Sequence, residues 1–291
     1  MKLCRYDENK LGVVIGAEVA DVSAVLESLP AARYPLPRHD LLIAHLAQVR
    51  SLIEATLARA KRAALSSVRL LSPVANPGKL VAAPVNYTKH LQEVLGDANL
   101  HHNNRINEIE RAGLFLKATS SLVGESEGIE INQPSRRTDH EVELAVVIGR
   151  EAKNVSAADA LNYVAGYCIG LDITIRGPEE RSMRKSPDSY SVLGPWLVTG
   201  DELPDPGALS LDLSVNGELR QSSNTGDLII GVPALIEFAC RFYTLHPGDV
   251  IFTGTPQGVG PIKAGDCIEA HIEGIGEMRV AVRSAGAREE R

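Results

Sequence analysis

The sequence has few aromatic residues, no excess of positive charge and no long apolar run. Aromatic side chains make up 4% of the 291 residues, whereas hydrophobic residues make up 44%. A chain of this length buries one sizeable core and has room for a small accessory domain. Because a membrane-spanning helix needs about 20 consecutive apolar residues, and the N-terminus lacks the apolar segment of a signal peptide, we expect a cytoplasmic globular protein.

Basic residues are outnumbered and scattered along the chain. There are 30 Lys and Arg against 37 Asp and Glu, which gives a formal net charge of -7. Binding to nucleic acid requires a clustered basic surface, so neither nucleic acid nor a membrane is an expected partner. We expect a small molecule instead.

Cysteine is rare and its spacing is uninformative. Cys4, Cys168, Cys240 and Cys267 stand far apart, in no metal-binding pattern. Two of them lie in apolar strand patterns, as core cysteines do. We therefore expect free thiols and a reducing compartment.

The pattern of the chain predicts two domains. Residues 2–23 have the pattern of short strands, and residues 39–64 have helical apolar spacing with Asp40 as the N-cap. Two prolines and a glycine in residues 71–78 mark a linker. We predict a small N-terminal α+β domain over 1–70 and a β-rich catalytic domain over 71–291, with helices near 156–163 and 232–243.

Glu141 and Glu143 begin an otherwise apolar run. In a β-strand, residues two apart lie on one face. A carboxylate in apolar surroundings costs several kcal/mol unless a cation or hydrogen-bond donors compensate it. The pair is therefore a candidate metal site.

A second predicted strand, residues 163–174, ends near another carboxylate. One of its faces has Gly166, Cys168 and Gly170 before Asp172, a pattern that predicts open space and a pocket floor. If the two strands are neighbours, three carboxylates converge and favour Mg²⁺ or Mn²⁺, with Ca²⁺ as an alternative and Zn²⁺ disfavoured. The competing interpretation is a solvated strand edge with Asp172 as a cap, which the apolar setting argues against.

Several motifs occur together in a consistent order. Asp139-His140-Glu141-Val142-Glu143 precedes Leu171-Asp172-Ile173-Thr174-Ile175-Arg176, and further motifs lie at residues 86–93, 115–117, 185–188, 193–196, 215–221, 247–251 and 253–260. Over about residues 79–280 the chain resembles the fumarylacetoacetate hydrolase family. The resemblance implies a mixed β-roll catalytic domain, a divalent cation held by Glu141, Glu143 and Asp172, and a homodimer.

His90 and Glu93 are three residues apart on a polar segment that is predicted to be helical. On one turn of a helix the carboxylate can orient the imidazole, which then deprotonates water. A solvated helix face is the alternative for such a pair. The resemblance implies that this segment, within residues 88–112, is a lid over the metal.

Four further polar residues are candidates for the site. Lys185 is a candidate catalytic cation or proton donor, with a surface lysine as the alternative. Arg176 is a candidate clamp for a substrate carboxylate, with a structural salt bridge as the alternative. Lys117 and Thr255 match positions near the substrate in the family, or they shape turns.

Glu179 is a departure from the family pattern, because many members have glutamine at this substrate-binding position. The resemblance implies a Mg²⁺-dependent hydrolase that cleaves a carbon–carbon bond in a 2,4-dioxo acid of acylpyruvate or fumarylpyruvate type, in the catabolism of aromatic compounds or sugar acids. The alternatives are a 2-oxo acid decarboxylase, hydratase or isomerase that uses the same metal-enolate chemistry, and a ligand-binding protein without activity.

Overall fold

The computed structural model describes residues 1–102 and 109–286. Within these ranges the chain forms mostly short strands with few helices. The strands are β1 (Lys2–Tyr6), β2 (Lys10–Ile15), β3 (Glu18–Asp21), β4 (Arg62–Ala64), β5 (Leu70–Leu71), β6 (Leu80–Ala82), β7 (Phe115–Lys117), β8 (Leu122–Val123), β9 (Ile129–Ile131), β10 (Thr138–His140), β11 (Val142–Ile148), β12 (Val164–Asp172), β13 (Thr174–Ile175), β14 (Ser191–Thr199), β15 (Ser210–Val215), β16 (Glu218–Asn224), β17 (Val250–Phe252), β18 (Gly260–Pro261), β19 (Cys267–Ile272) and β20 (Gly276–Ser284). The helices are α1 (Leu41–Leu57), α2 (Thr88–Gly96), α3 (Ala98–His101), α4 (Ile109–Ala112), α5 (Arg181–Arg184) and α6 (Val232–Phe242).

The main sheet is mixed. Over the described ranges its strands follow the order β4-β3-β2-β1-β14-β12-β11-β17-β6-β7, with β5 beside β1 and β8 beside β14. The β17–β6 and β14–β8 pairs are parallel, whereas the pairs that join β11, β12 and β14 are antiparallel. Two smaller sheets have the orders β13-β10-β18 and β16-β15-β19-β20-β9. The predicted β-rich α+β class is confirmed.

The N-terminal segment joins this sheet through pairing of β1 with β14. The boundary at residues 70 and 71 stays a prediction. Asp40 caps α1, as predicted, because its Oδ1 accepts a hydrogen bond from the Ile43 amide at 3.0 Å. The helix ends at Leu57, short of the predicted residue 64, since Arg62–Ala64 pairs with β3 as a strand.

The predicted helix over 232–243 is confirmed as α6, but the one over 156–163 is wrong. Only a 3-10 turn, Ala160–Tyr163, forms there, because β12 begins at Val164 and pairs with β11. All four cysteines are free, as expected. No helix in the described part of the chain is long and apolar enough to cross a membrane.

The β11–β12 pair forms the centre of the core, and both strands are almost completely buried. The expectation of open space along the glycine face of β12 is wrong. A Cβ atom on Gly170 would lie 2.8 Å from the Phe252 ring, and one on Gly166 would lie 2.1 Å from the Val198 carbonyl oxygen. The glycines therefore allow close packing of neighbouring strands, and the cavity of interest lies at the end of the strands.

Candidate metal centre and active site

Three carboxylates meet where β10, β11 and β12 adjoin. Glu141 lies between β10 and β11, Glu143 lies in β11, and Asp172 ends β12. The Asp172 amide donates to the Glu141 carbonyl at 2.9 Å, so the antiparallel register fixes their separation. One oxygen from each side chain lies within 4.8 Å of the others, and all three residues are buried. We call these three residues the acidic cluster.

Two buried lysines contact the acidic cluster directly. Lys185 Nζ donates to Glu141 Oε2 and Asp172 Oδ2, both at 2.6 Å, and to Thr174 Oγ1 at 2.7 Å. Lys117 Nζ donates to Asp172 Oδ1 and, at 2.7 Å, to the Tyr190 carbonyl. Lys185 is therefore no surface lysine. Its contacts offset much of the cost of burying the carboxylates.

Arg176 has acidic partners of its own. Its Nε donates to Asp139 Oδ2 at 2.7 Å, and its Nη2 donates to Glu141 Oε1 at 2.8 Å. Arg137 Nε donates to the other oxygen of Asp139 at 2.7 Å. This is the buried salt bridge that the sequence left open as an alternative, and the role of Arg176 as a substrate clamp stays a prediction.

The two glutamates of the acidic cluster differ in how well their charge is compensated. Burial would raise the pKa of Glu141, but Lys185 and Arg176 outweigh it and hold that pKa well below its usual range. Burial and the neighbouring charge of Asp172 raise the pKa of Glu143 well above its usual range. Around Glu143 the protein supplies too little positive charge for three ionised carboxylates. A divalent cation fits this site, since it would supply the charge and prefers oxygen donors.

A glycine-rich loop after β17 supports the same side of the site. The Gly254 amide donates to Glu143 Oε2 at 2.7 Å, and Gly254 has a φ of +102°, which favours glycine. Thr255 Oγ1 donates to the Val142 carbonyl at 2.9 Å and accepts from Gln221 Nε2 at 2.8 Å. The loop therefore holds the Glu143 carboxylate through the Gly254 amide, and Thr255 ties the loop to the backbone of β11.

His90 and Glu93 form a dyad on α2. His90 Nδ1 lies 2.8 Å from Glu93 Oε2, and Glu93 Oε1 accepts from the Gly258 amide at 2.9 Å. His90 is 5% exposed, so the solvated-face interpretation does not hold for it. With Nδ1 engaged by Glu93, Nε2 is the ring nitrogen left for chemistry.

One cavity joins the acidic cluster to the dyad. It has a volume of about 50 Å³, enough for only a few water molecules. It is lined by Ala83, Pro84, Val85, His90, Val94, Leu100, Phe115, Glu141, Glu143, Arg176, Arg181, Arg184, Lys185 and Thr255. Sequence reasoning missed Arg181 and Arg184, although three basic residues within five positions at 181–185 were a usable signal.

Two predicted substrate-binding residues lie outside this lining. Lys117 lies behind Asp172, with no exposed side-chain surface. Glu179 pairs with Arg136 through both oxygens, at 2.9 and 2.7 Å, and lines a separate cavity of about 640 Å³. Arg176 lines both cavities. Substrate contact by Lys117 and Glu179 stays a prediction.

The segment predicted to be a lid begins with α2 and α3 and ends with α4. Its residues 103–108 lie outside the described ranges. Val94 and Leu100, from α2 and α3, pack against Val259 in a small apolar cluster of their own. Closure of this segment over a ligand stays a prediction.

Comparison with known proteins places this geometry in context. The sequence model of the fumarylacetoacetate (FAA) hydrolase C-terminal domain matches residues 79–283. The chain is 59% identical over 286 residues to maleylpyruvate hydrolase of Aquipseudomonas alcaligenes, covering 98% of this chain and 100% of that protein.

Two solved structures illustrate the range of relatives. Maleylpyruvate hydrolase of Sphingobium sp. SYK-6, in complex with manganese(II) and pyruvate, superposes with a TM-score of 0.82 at 39% identity, covering 98% of this chain and 99% of that one. The 5-carboxymethyl-2-hydroxymuconate delta-isomerase of Mycobacterium smegmatis gives a TM-score of 0.70 at 28% identity, covering 98% and 100%.

Proposed function

The chain belongs to the fumarylacetoacetate hydrolase family, and from this premise we propose that it is a metal-dependent hydrolase that cleaves a carbon–carbon bond in maleylpyruvate or a related 2,4-dioxo acid, within aromatic catabolism. The observation that supports this proposal is the shared cavity. The acidic cluster and the His90–Glu93 dyad line or adjoin one buried space. A substrate that enters by widening this small space can therefore meet a metal site and a base together.

We propose that Glu141, Glu143 and Asp172 hold Mg²⁺, with Mn²⁺ as the alternative and Ca²⁺ a weaker one. Their oxygen donors suit all three cations, and the Sphingobium relative was solved with manganese(II). When bound, the cation supplies Lewis-acid polarisation of the oxo-acid end of the substrate. The protein positions its carboxylates for this through the β11–β12 register and the Gly254 amide.

In the proposed reaction His90 Nε2 takes a proton from water, and the resulting hydroxide attacks the C4 carbonyl carbon. The bond between C3 and C4 then breaks, its electron pair stays on C3, and C4 becomes a carboxylate. Protonation of C3 gives pyruvate and, from maleylpyruvate, maleate. Glu93 orients the imidazole and stabilises its protonated form, while Lys185 places a positive charge where negative charge develops.

An isomerase is the second candidate, because the Mycobacterium smegmatis relative has an isomerase name and a similar fold. The two candidates differ in whether water attacks a carbonyl. Metal-stripped protein is given maleylpyruvate, acetylpyruvate, fumarylpyruvate or oxaloacetate, with and without Mg²⁺ or Mn²⁺, while absorbance and pyruvate release are followed together. Metal-dependent loss of the diketone with stoichiometric pyruvate supports the hydrolase. A spectral change without pyruvate favours the isomerase, and pyruvate from oxaloacetate alone favours a decarboxylase.

We further propose that the protein is a homodimer, as the family resemblance implies. We also propose that it is located in the cytoplasm, as the sequence pattern predicts. Sedimentation equilibrium of the full chain tests the dimer: a mass of about twice the 31.2 kDa of the chain supports it, and the mass of a single chain contradicts it.

A further inference from the structure

The basic side chains around the cavity differ in how many hydrogen-bond and ion-pair partners they have. Lys185 contacts two carboxylates, and Arg176 contacts Asp139 and Glu141. Arg184 donates from Nε to the Glu179 carbonyl at 2.8 Å and from Nη1 to the Ile175 carbonyl at 3.2 Å. Arg181 also lines the cavity, yet among the described residues its guanidinium has no carboxylate, carbonyl or hydroxyl partner within hydrogen-bond distance.

Arg181 is held by an aromatic ring. Its guanidinium carbon lies 5.6 Å from the centroid of the Phe115 ring, and Phe115 is buried in β7. A cation over an aromatic face is attracted by the ring quadrupole, and the contact leaves the edge of the guanidinium, with its N–H groups, available. Burial lowers the pKa of Arg181 despite the charges of Glu180, Glu141 and Asp172. Arg181 is thus a partly buried cation whose N–H donors have no acceptor among the described residues.

An unused, partly buried guanidinium is a binding site for a planar anion. Burying a charge without a hydrogen-bonded partner is unfavourable, and a carboxylate can accept two parallel hydrogen bonds from the guanidinium. Without a bound cation, the acidic cluster repels a substrate carboxylate, because the cluster is itself negatively charged. Arg181 lines the same cavity and shares the Phe115 ring with Lys185. A substrate that widens this small cavity and places one carboxylate at the cation site can therefore bring a second carboxylate, at its far end, to Arg181.

We propose that Arg181, supported by Phe115, binds the distal carboxylate of a dicarboxylic 2,4-dioxo substrate and thereby selects such substrates over those that end in a methyl group. This inference rests on the proposed function and assigns the substrate class of the same cavity. Val85, Val94 and Leu100 line the cavity as well, and they offer apolar contacts to the carbon chain between the two carboxylates.

The test compares two substrates in the metal-loaded enzyme. Maleylpyruvate has the distal carboxylate, whereas acetylpyruvate has a methyl group there. In Arg181→Gln we expect kcat/KM for maleylpyruvate to fall about 100-fold, mainly through KM, because a charge-assisted bidentate contact is lost. We expect kcat/KM for acetylpyruvate to fall by about tenfold or less, so the ratio of the two kcat/KM values changes.

Two further variants control this experiment. Arg181→Lys keeps the charge but not the planar donor pair, and we expect it to recover part of the preference for maleylpyruvate. Arg184→Gln, on the same short helix, removes a guanidinium that donates to carbonyl groups, and we expect it to change both substrates by the same factor. Maleate, as a competitive inhibitor of acetylpyruvate cleavage, should bind about tenfold or more weakly to Arg181→Lys than to wild type.

The outcomes separate the inference from the function on which it rests. If wild type cleaves both substrates and Arg181→Gln leaves their ratio unchanged, the assignment of Arg181 is overturned while the hydrolase stands. If Arg184→Gln changes the ratio as much as Arg181→Gln does, the effect belongs to the helix, and the assignment is likewise overturned. If Arg181→Gln fails to fold, the ratio and the maleate inhibition in Arg181→Lys decide. If wild type cleaves neither substrate, the proposed function fails, and the inference fails with it.

Discussion

The acidic cluster and the Arg181–Phe115 pair lie on the same cavity, but their charges are compensated in opposite ways. Glu141 pairs with Arg176 and Lys185, and Asp172 pairs with Lys117 and Lys185. Arg181 lies on a helix of four residues, and its contact with a ring is its main support. Glu141 and Asp172 are thus satisfied by internal ion pairs, whereas Arg181 has N–H donors without an acceptor among the described residues.

This difference separates chemistry from selectivity. A metal site and a base must be held rigidly, because a small misplacement weakens transition-state stabilisation. Recognition of the far end of a substrate requires donors that the protein itself leaves unused. Loops and short elements are where such donors are tolerated and can vary between relatives. The tightly paired residues of the acidic cluster and the dyad therefore fix the reaction, whereas Arg181, which has unused donors, selects the substrate.

The largest expected effect comes from a change in the acidic cluster. Asp172→Asn removes one of the three carboxylates and leaves Lys117 and Lys185 with weaker partners. We expect Mg²⁺ affinity to fall and kcat to fall about 1000-fold, equivalent to about 4 kcal/mol of lost transition-state stabilisation. Isothermal titration with Mg²⁺ and steady-state kinetics measure the two.

Asp212→Asn is the matched control for this change, since Asp212 is 42% exposed and pairs with His271 within the five-stranded sheet, which does not hold the acidic cluster. It should leave both metal affinity and kcat close to wild type. Unchanged Mg²⁺ affinity in a folded Asp172→Asn would contradict the assignment of the acidic cluster as the metal site.

The second-largest effect is expected from changes in the His90–Glu93 dyad. His90→Gln removes the proposed base, and we expect kcat to fall about 100-fold to 1000-fold while Mg²⁺ affinity stays within about twofold of wild type. Glu93→Gln keeps a hydrogen-bond acceptor for His90 but removes the charge, so the expected loss is about 10-fold to 100-fold. Retention of full carbon–carbon hydrolysis by His90→Gln would remove this residue from the proton transfer.

Sequence reasoning succeeded where local patterns fix the geometry. Residues two apart lie on one side of an extended backbone, so Glu141, just before β11, and Glu143, within it, fall together. Their pairing with the strand that ends at Asp172 needed only the adjacency of the two strands. Asp40 could be identified as a cap because its role depends on the next three residues. His90 and Glu93 were found for the same reason, as one turn of helix brings them together.

The rest depended on contacts that are distant in sequence. Nothing near Gly170 in the sequence indicates that the Phe252 ring fills the space beside it. Whether Arg176 or Arg181 has a free guanidinium is decided by Asp139 and Glu141, which lie more than 30 positions earlier in the sequence. A basic residue in a sequence is a candidate for substrate binding, but only the structure shows which carboxylates of the protein already pair with it.

Glu125 extends the comparison to a carboxylate that forms no ion pair among the described residues, although the charge of Arg279 acts on it more weakly than burial does. Its Oε2 is buried with no hydrogen-bond partner among the described residues, and its Oε1 accepts from the Arg279 amide at 3.3 Å. Burial raises the pKa of Glu125 to about 7. Since the folded state then binds the proton more tightly than the unfolded state, this group contributes stability that is full below about pH 4.5 and lost as pH rises through about 7.

Glu125→Gln cannot ionise and should not show this loss. We expect the free energy of unfolding of wild type, relative to the variant, to decrease by at most about 3 kcal/mol between pH 4.5 and pH 8. Urea unfolding of both proteins at several pH values, at one fixed Mg²⁺ concentration, measures the difference. Parallel pH profiles for the two proteins would show that the carboxyl group is not buried in its neutral form.

The smallest expected effect is that of Glu179→Gln, which introduces the glutamine that the family resemblance implies at this position. Glu179 is already paired with Arg136 and lines a different cavity from the acidic cluster. Its charge therefore lies outside the cavity that the acidic cluster, His90 and Arg181 line or adjoin. We expect kcat and KM for maleylpyruvate to change by less than about threefold, as for an exposed ion pair. Arg136→Gln is the matched partner variant, and it should have an equally small effect if the pair acts only as a surface contact. A tenfold or larger change in kcat for Glu179→Gln alone would instead mean that this side chain leaves Arg136 and enters the cavity when substrate binds, and Arg136→Gln should then favour that state and raise substrate affinity.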